Sequence, residues 1–169
     1  PEPGTRLEQS GHNYSAPRML FLPDGRCRLY CLERDENGNG RGIISALSSD
    51  GGLTFQKEPG VRIAQDTVYD ALVAFACEII CVDDRYVMYY AGYSQPRRAY
   101  ILRAVSDDGL TWQKDREPVL FPEPGGLDAA KCSEMCVLKL RHPNGDPTGY
   151  RMLYEACDGT AENERGVWR

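Results

Sequence analysis

Residues 42–57 read Gly42-Ile43-Ile44-Ser45-Ala46-Leu47-Ser48-Ser49-Asp50-Gly51-Gly52-Leu53-Thr54-Phe55-Gln56-Lys57. Residues 100–114 restate them as Tyr100-Ile101-Leu102-Arg103-Ala104-Val105-Ser106-Asp107-Asp108-Gly109-Leu110-Thr111-Trp112-Gln113-Lys114. The offset is 58 residues, falling to 57 after the extra glycine of the first copy. Self-similarity at such a period marks a supersecondary unit that buries its apolar faces only against neighbouring units.

Working outward, Pro3-Gly4-Thr5-Arg6-Leu7 returns as Pro59-Gly60-Val61-Arg62-Ile63. Pro23-Asp24-Gly25-Arg26-Cys27-Arg28-Leu29-Tyr30 matches Asp83-Asp84-Arg85-Tyr86-Val87-Met88-Tyr89, and a third copy reads Gly149-Tyr150-Arg151-Met152-Leu153-Tyr154. Each copy holds an apolar run, a turn, an aromatic-rich run, a polar loop, a third run, and an Asp-Gly turn before Phe55 or Trp112. That order describes a four-stranded antiparallel meander. No segment pairs a helix cap with a long amphipathic stretch, so almost no helix is expected.

Four-stranded sheets repeated radially make a β-propeller. The expected fold is all-β: one partial propeller domain over residues 1–169, with about two and a half to three antiparallel blades. The repeats fall at roughly 13–66, 70–124 and 128–169, the last incomplete. Residues 3–7 read as the closing strand of a preceding blade, and Val167-Trp168-Arg169 as the opening of a third strand. Because closure needs at least four blades, self-association or missing blades should complete the ring.

With 41% hydrophobic and 27% charged residues the chain should fold, and a net charge of −5 with no basic cluster argues against nucleic acid. The longest apolar stretch, 71–82, is broken by Glu78 and too short for a membrane helix. No signal peptide is read at the start of the chain, so a cytoplasmic setting is expected. Six of the seven cysteines fall in i,i+4 pairs: Cys27 with Cys31, Cys77 with Cys81, Cys132 with Cys136. On a strand such partners lie about 13 Å apart, too far for a disulfide. Neither His12 nor His142 sits beside them as a zinc ligand, so buried free thiols are expected, with no metal and no cofactor. Gly38-Asn39-Gly40-Arg41-Gly42 opens no helix and is not a phosphate loop.

In an antiparallel blade the start of the first strand and the end of the second share one edge, and the first strands surround the axis. Counting back five residues from Pro23, Asp83 and Lys139 aligns Arg18, Glu78 and Glu134 as one ring of charges. Glu78 and Glu134 interrupt apolar runs, where an unpartnered carboxylate is costly and its pKa rises. Arg18 with Glu78 can equally form a structural ion pair. At the ends of the second strands, Glu155 matches Ala91, and Tyr93 and Arg98 reach toward the same funnel as substrate-binding candidates.

The segments Ser106-Asp107-Asp108-Gly109-Leu110-Thr111-Trp112 and Tyr150-Arg151-Met152-Leu153-Tyr154 resemble those of the five-bladed propeller glycosidases, glycoside hydrolase families 43, 32 and 68 and their relatives. Residues 48–55 also resemble the Asp box of sialidases, in which case Asp50 and Asp108 are structural turns. The resemblance implies a carbohydrate substrate or ligand. It also implies a catalytic aspartate at the start of a first strand, where Tyr69-Asp70-Ala71 and Leu127-Asp128-Ala129 stand; a plain turn aspartate is the alternative. Glycoside hydrolysis needs an acid and a base or nucleophile. Glu134 is the candidate acid, Asp70 the base or nucleophile, Asp128 a tuning residue and Glu78 a substrate contact. Ala71 and Met135 stand where those families carry proline and glycine. The alternative is therefore a non-catalytic carbohydrate-binding or scaffold propeller.

Overall fold

In the computed structural model, which describes residues 7, 11–160 and 167–168, alternating apolar and polar residues fold into eleven strands without a helix. These are β1 (His12–Phe21), β2 (Cys27–Asp35), β3 (Gly40–Ser48), β4 (Gln56–Lys57), β5 (Val73–Val82), β6 (Arg85–Gln95), β7 (Arg98–Ser106), β8 (Gln113–Lys114), β9 (Lys131–Arg141), β10 (Pro147–Cys157) and β11 (Val167–Trp168). The fold is all-β. The first sheet runs β1-β2-β3-β4, every neighbour antiparallel. Strands β5 to β8 repeat that meander, and β9 pairs β10, which pairs β11. A single parallel pairing, Ala99 with Lys131, joins the last two groups.

Local chemistry sets the hairpins. Asp83 and Asp84, both at positive φ (49° and 60°), form the two-residue turn between β5 and β6, the geometry whose twist suits a hairpin. The turns after β3 and β7 are stapled by their aspartates. Asp50 Oδ1 accepts from the Leu53 and Thr54 amides at 3.0 and 2.9 Å, and Asp108 Oδ1 from those of Leu110 and Thr111 at 2.7 Å each. Ile43 bridges to Ile63, and Ile101 to Leu120.

The sheets pack face to face through two apolar layers. Tyr30 and Ile43 of the first sheet meet Ile79, Met88, Tyr90 and Leu102 of the second. Ala91 and Ile101 of the second meet Cys132 and Met135 of β9. The 106–112 turn docks on the first sheet: the Tyr30 hydroxyl donates to Gly109 O at 2.8 Å, Arg28 Nη1 to Asp108 O at 2.9 Å, and Trp112 stands edge-on to Tyr30. Glycine is required at 109, where φ is +71° and an added Cβ would lie 2.7 Å from the Tyr30 hydroxyl. In this packing β1 lies against β5 and β5 against β9, so the first strands form a row.

Two expectations need correction. Lys139 is not a turn residue; it lies inside β9, and the hairpin turn comes later, at 142–146, where the Gly145 amide donates to His142 O. The thiols are free, but Cys81, next to the end of β5, is exposed, and Cys136, midway along β9, is half-buried. Residues 3–6, part of the expected closing strand, lie outside the described residues.

Candidate functional site

Each first strand carries a bulge at the same place. Ser15 pairs with Leu32 and Arg18 with Tyr30, leaving Ala16-Pro17 opposite one residue; Phe75 pairs with Ala91 and Glu78 with Tyr89, leaving Ala76-Cys77 likewise. In β9 Ser133 pairs with Glu155 and Met135 with Tyr154, and Glu134 is the inserted residue. Ala16, Ala76 and Glu134 accordingly share positive φ, at 51°, 51° and 31°. A bulge bends its strand and re-aims a side chain. Here the three bulges converge on one cavity of about 470 Å³. That volume lies within the roughly 300–1,000 Å³ of small-ligand sites.

Bulge geometry revises the expected ring of charges. Glu134 is the counterpart of Ala16 and Ala76, whereas Arg18 and Glu78 stand two residues further along, level with Cys136. The longer run of β9 beyond its bulge explains the slip: the strand continues to Arg141, so counting back from Lys139 rather than from the true turn displaces that copy. Arg18 and Glu78 form a close ion pair, and Arg18 Nε donates to Cys77 O at 3.4 Å. The Ile79 and Val137 amides also favour the charged form of Glu78, which thus interacts with groups on β1, β5 and β9. Burial raises its pKa, and the Arg18 charge and these amides pull it partly back.

The cavity wall carries three charged side chains: Arg18, Arg34 and Glu134. Glu134 is exposed, unlike its neighbours Ser133 and Met135.

Asp70 and Asp128 do not line this cavity. Asp70 is 0% exposed; Lys114 Nζ lies 2.6 Å from its Oδ2, while Oδ1 accepts from the Thr67 amide at 2.9 Å and the Thr67 hydroxyl at 2.7 Å. Asp128, also buried, accepts from the Tyr154 hydroxyl at 2.8 Å and faces the Cys132 thiol at 3.6 Å. Burial first, and the Asp128 charge second, push that thiol up to about 12. Glu155 accepts from Lys131 Nζ at 3.1 Å and Ser133 Oγ at 2.6 Å. Arg98 donates to Ala129 O at 3.0 Å and to the Tyr100 hydroxyl at 3.3 Å, which ties β7 to the segment before β9. Tyr93 borders a second, smaller cavity of about 180 Å³ with Arg97, Lys131 and Cys157. The eight candidates are thus dispersed: Glu134 and Arg18 share the large cavity, Glu78 backs its wall, and the other five lie elsewhere.

Sequence reasoning missed the counter-charges. Glu33, 2% exposed, is held by Lys57 and by His12 Nδ1 at 3.0 Å. Lys57 and Lys114 are equivalent positions of the repeat, and each supplies the cation for a buried carboxylate. Their shared place at the end of the two quoted stretches was the available signal. Arg34, too, carries no signal in sequence, since only the fold brings the end of β2 beside the bulges.

No protein-family model and no curated protein matches the sequence. Solved structures do. An endo-1,4-beta-xylanase from Bacteroides thetaiotaomicron aligns with a TM-score of 0.69 at 15% identity, over 92% of this chain and 53% of that one. The chain shares its fold with this and other solved glycoside hydrolase structures. A thermostable family-43 glycoside hydrolase gives a TM-score of 0.68 at 17% identity, covering 85% of this chain and 48% of its own. A family 117 glycoside hydrolase from Zobellia galactanivorans gives 0.66 at 16%, covering 90% and 55%. The chain therefore spans about half the length of the glycoside hydrolases it matches.

Proposed function

We propose that the chain is a section of a five-bladed β-propeller of glycoside-hydrolase type, about two and a half to three blades long, whose inner cavity takes a carbohydrate. The observation that carries this proposal is the convergence of three first-strand bulges on one ligand-sized cavity with Glu134 on its wall. Glycoside-hydrolase folds in the matched structures support the ligand class.

In the hydrolytic form of the proposal, Glu134 is the general acid that protonates the leaving oxygen, and Asp70 the base or nucleophile, tuned by Asp128. Glu78 acts through Arg18 and the wall it holds. One observation favours a second form, a carbohydrate-binding or scaffold propeller without turnover: Asp70 is sealed against Lys114 and Thr67, while hydrolysis requires two carboxylates flanking one bond. Ring completion by further blades or by a second copy belongs to the same proposal. Its support is the apolar side chains left outside the two layers, Phe21 at 69% exposure in the first sheet and Leu138 in β9. A cytoplasmic setting belongs to it as well, on the free thiols.

A panel of nitrophenyl glycosides, followed by glycan binding, separates the two forms. Turnover abolished by Glu134→Gln supports the hydrolase. Glycan binding without turnover supports the binding propeller. A protein that neither turns over nor binds any sugar refutes both.

A further inference from the structure

The three charges on the cavity wall are not in the same situation. Arg18 is spent on Glu78 and on the Cys77 carbonyl. Arg34 lies near the end of β2, its backbone paired with Asn13 and Gly40, and its side chain faces the cavity. Among the described residues no carboxylate or carbonyl accepts from its guanidinium, and Glu134 on the same wall is not within ion-pair reach of it. Elsewhere among the described residues, covered cations such as Arg28, Arg103 and Lys131 meet a carboxylate directly, from Glu58, Asp115 and Glu155 in turn. Keeping a guanidinium half-desolvated without a partner is unfavourable until an anion arrives, and its planar fork matches a carboxylate or sulfate with two parallel hydrogen bonds.

We infer that the sugar taken by this cavity carries an anionic substituent, a uronate carboxylate or a sulfate ester, and that Arg34 binds it. The inference rests on the carbohydrate proposal above and narrows it. Glu134 is left to face a hydroxyl or glycosidic oxygen, because two carboxylates pressed together without a cation would repel, whereas Arg34 places the cation on the same wall.

The test is calorimetric titration of the chain with galactose, galacturonic acid and galactose 6-sulfate, and with glucose and glucuronic acid. A charge-assisted bidentate contact should favour at least one anionic sugar over its neutral counterpart by about tenfold or more, and added salt should weaken that preference. The acid and the sulfate report separately which oxyanion the site takes. Arg34→Gln should erase the preference, and Arg34→Lys should restore part of it. Both variants should melt with the parent chain, since the Arg34 side chain holds no neighbour in place. Equal binding of neutral and anionic sugars, or a preference that survives Arg34→Gln, overturns the inference and leaves the carbohydrate proposal standing. Failure of every sugar to bind overturns both.

Discussion

Replacing Lys114 by methionine removes the cation that faces Asp70 and keeps most of the side-chain volume. Lys114 Nζ sits 2.6 Å from Asp70 Oδ2, Asp70 is fully buried, and the lysine is itself largely covered, so the pair sees little water. Removing one member of a buried pair costs about 3–5 kcal/mol. The two Thr67 donors and the Tyr90 hydroxyl at 3.4 Å still hold the carboxylate, which places this case at the lower end, about 3 kcal/mol. For a chain of this size each kcal/mol moves the melting temperature by about 2–4 °C, so a fall of about 6–12 °C is expected. Urea melts of Lys114→Met, Asp70→Asn and the double variant complete the cycle. The double variant should lose clearly less than the sum, with a coupling of about 1 kcal/mol or more. A Lys114→Met chain that melts within a degree or so of the parent would refute the reasoning: Asp70 would then not depend on Lys114, and its sequestration from the cavity would lose its physical basis.

Lys57→Met should cost less than Lys114→Met, because Glu33 keeps His12 Nδ1 at 3.0 Å and Lys57 is more exposed; paired thermal melts give the ranking. Gly109→Ala should destabilise by about 2 kcal/mol or more, combining strain at φ +71° with collision against the Tyr30 hydroxyl, and near-ultraviolet dichroism of Tyr30 and Trp112 should lose intensity with it. Glu134→Gly should leave stability unchanged or raise it by a few tenths up to about 1 kcal/mol, since it relieves a positive φ at an exposed side chain. Asp108 titrates at about 2, held down by the Thr111 and Leu110 amides and the Ser106 hydroxyl against an ordinary value of 3.8. Its folded pKa is depressed, so its stabilising contribution is present above pH 3.8 and disappears as pH falls toward 2. Asp108→Asn should therefore lose less melting temperature than the parent between pH 5 and pH 2.5.

Strands and tight turns were legible in the sequence because their signals are local: period-two alternation, and Asp-Gly pairs that accept backbone amides. The bulges were not. Positive φ is usually announced by glycine, and here Ala16, Ala76 and Glu134 adopt it without one, held there by the pairing on either side. Missing them had a definite consequence. With no bulge to anchor the third copy, a register counted from Lys139 puts Glu134 level with Glu78 instead of Ala76. The charged partners were illegible for a different reason. Lys114 reaches back 44 residues to Asp70, and Lys57 reaches back 24 to Glu33, so equivalent lysines serve carboxylates at non-equivalent places, one in the turn before β5 and one in β2. Repeat alignment locates the cation in such a case and misplaces the anion.

That pattern also separates the charges that hold the sheets from those that can serve a ligand. Glu33, Asp70 and Glu78 each pair across elements, so each is committed before any ligand arrives. The three bulge positions are equivalent in backbone, yet two carry methyl groups and only the third carries a side chain long enough to enter the cavity. Arg34 joins it from β2. Substitutions at Glu134 and Arg34 should consequently change binding and barely change melting, while those at Glu33, Asp70 and Glu78 should do the reverse. The two properties would move together at all five positions if the cavity were merely a packing gap between sheets, and a joint map of melting temperature and sugar affinity distinguishes the cases.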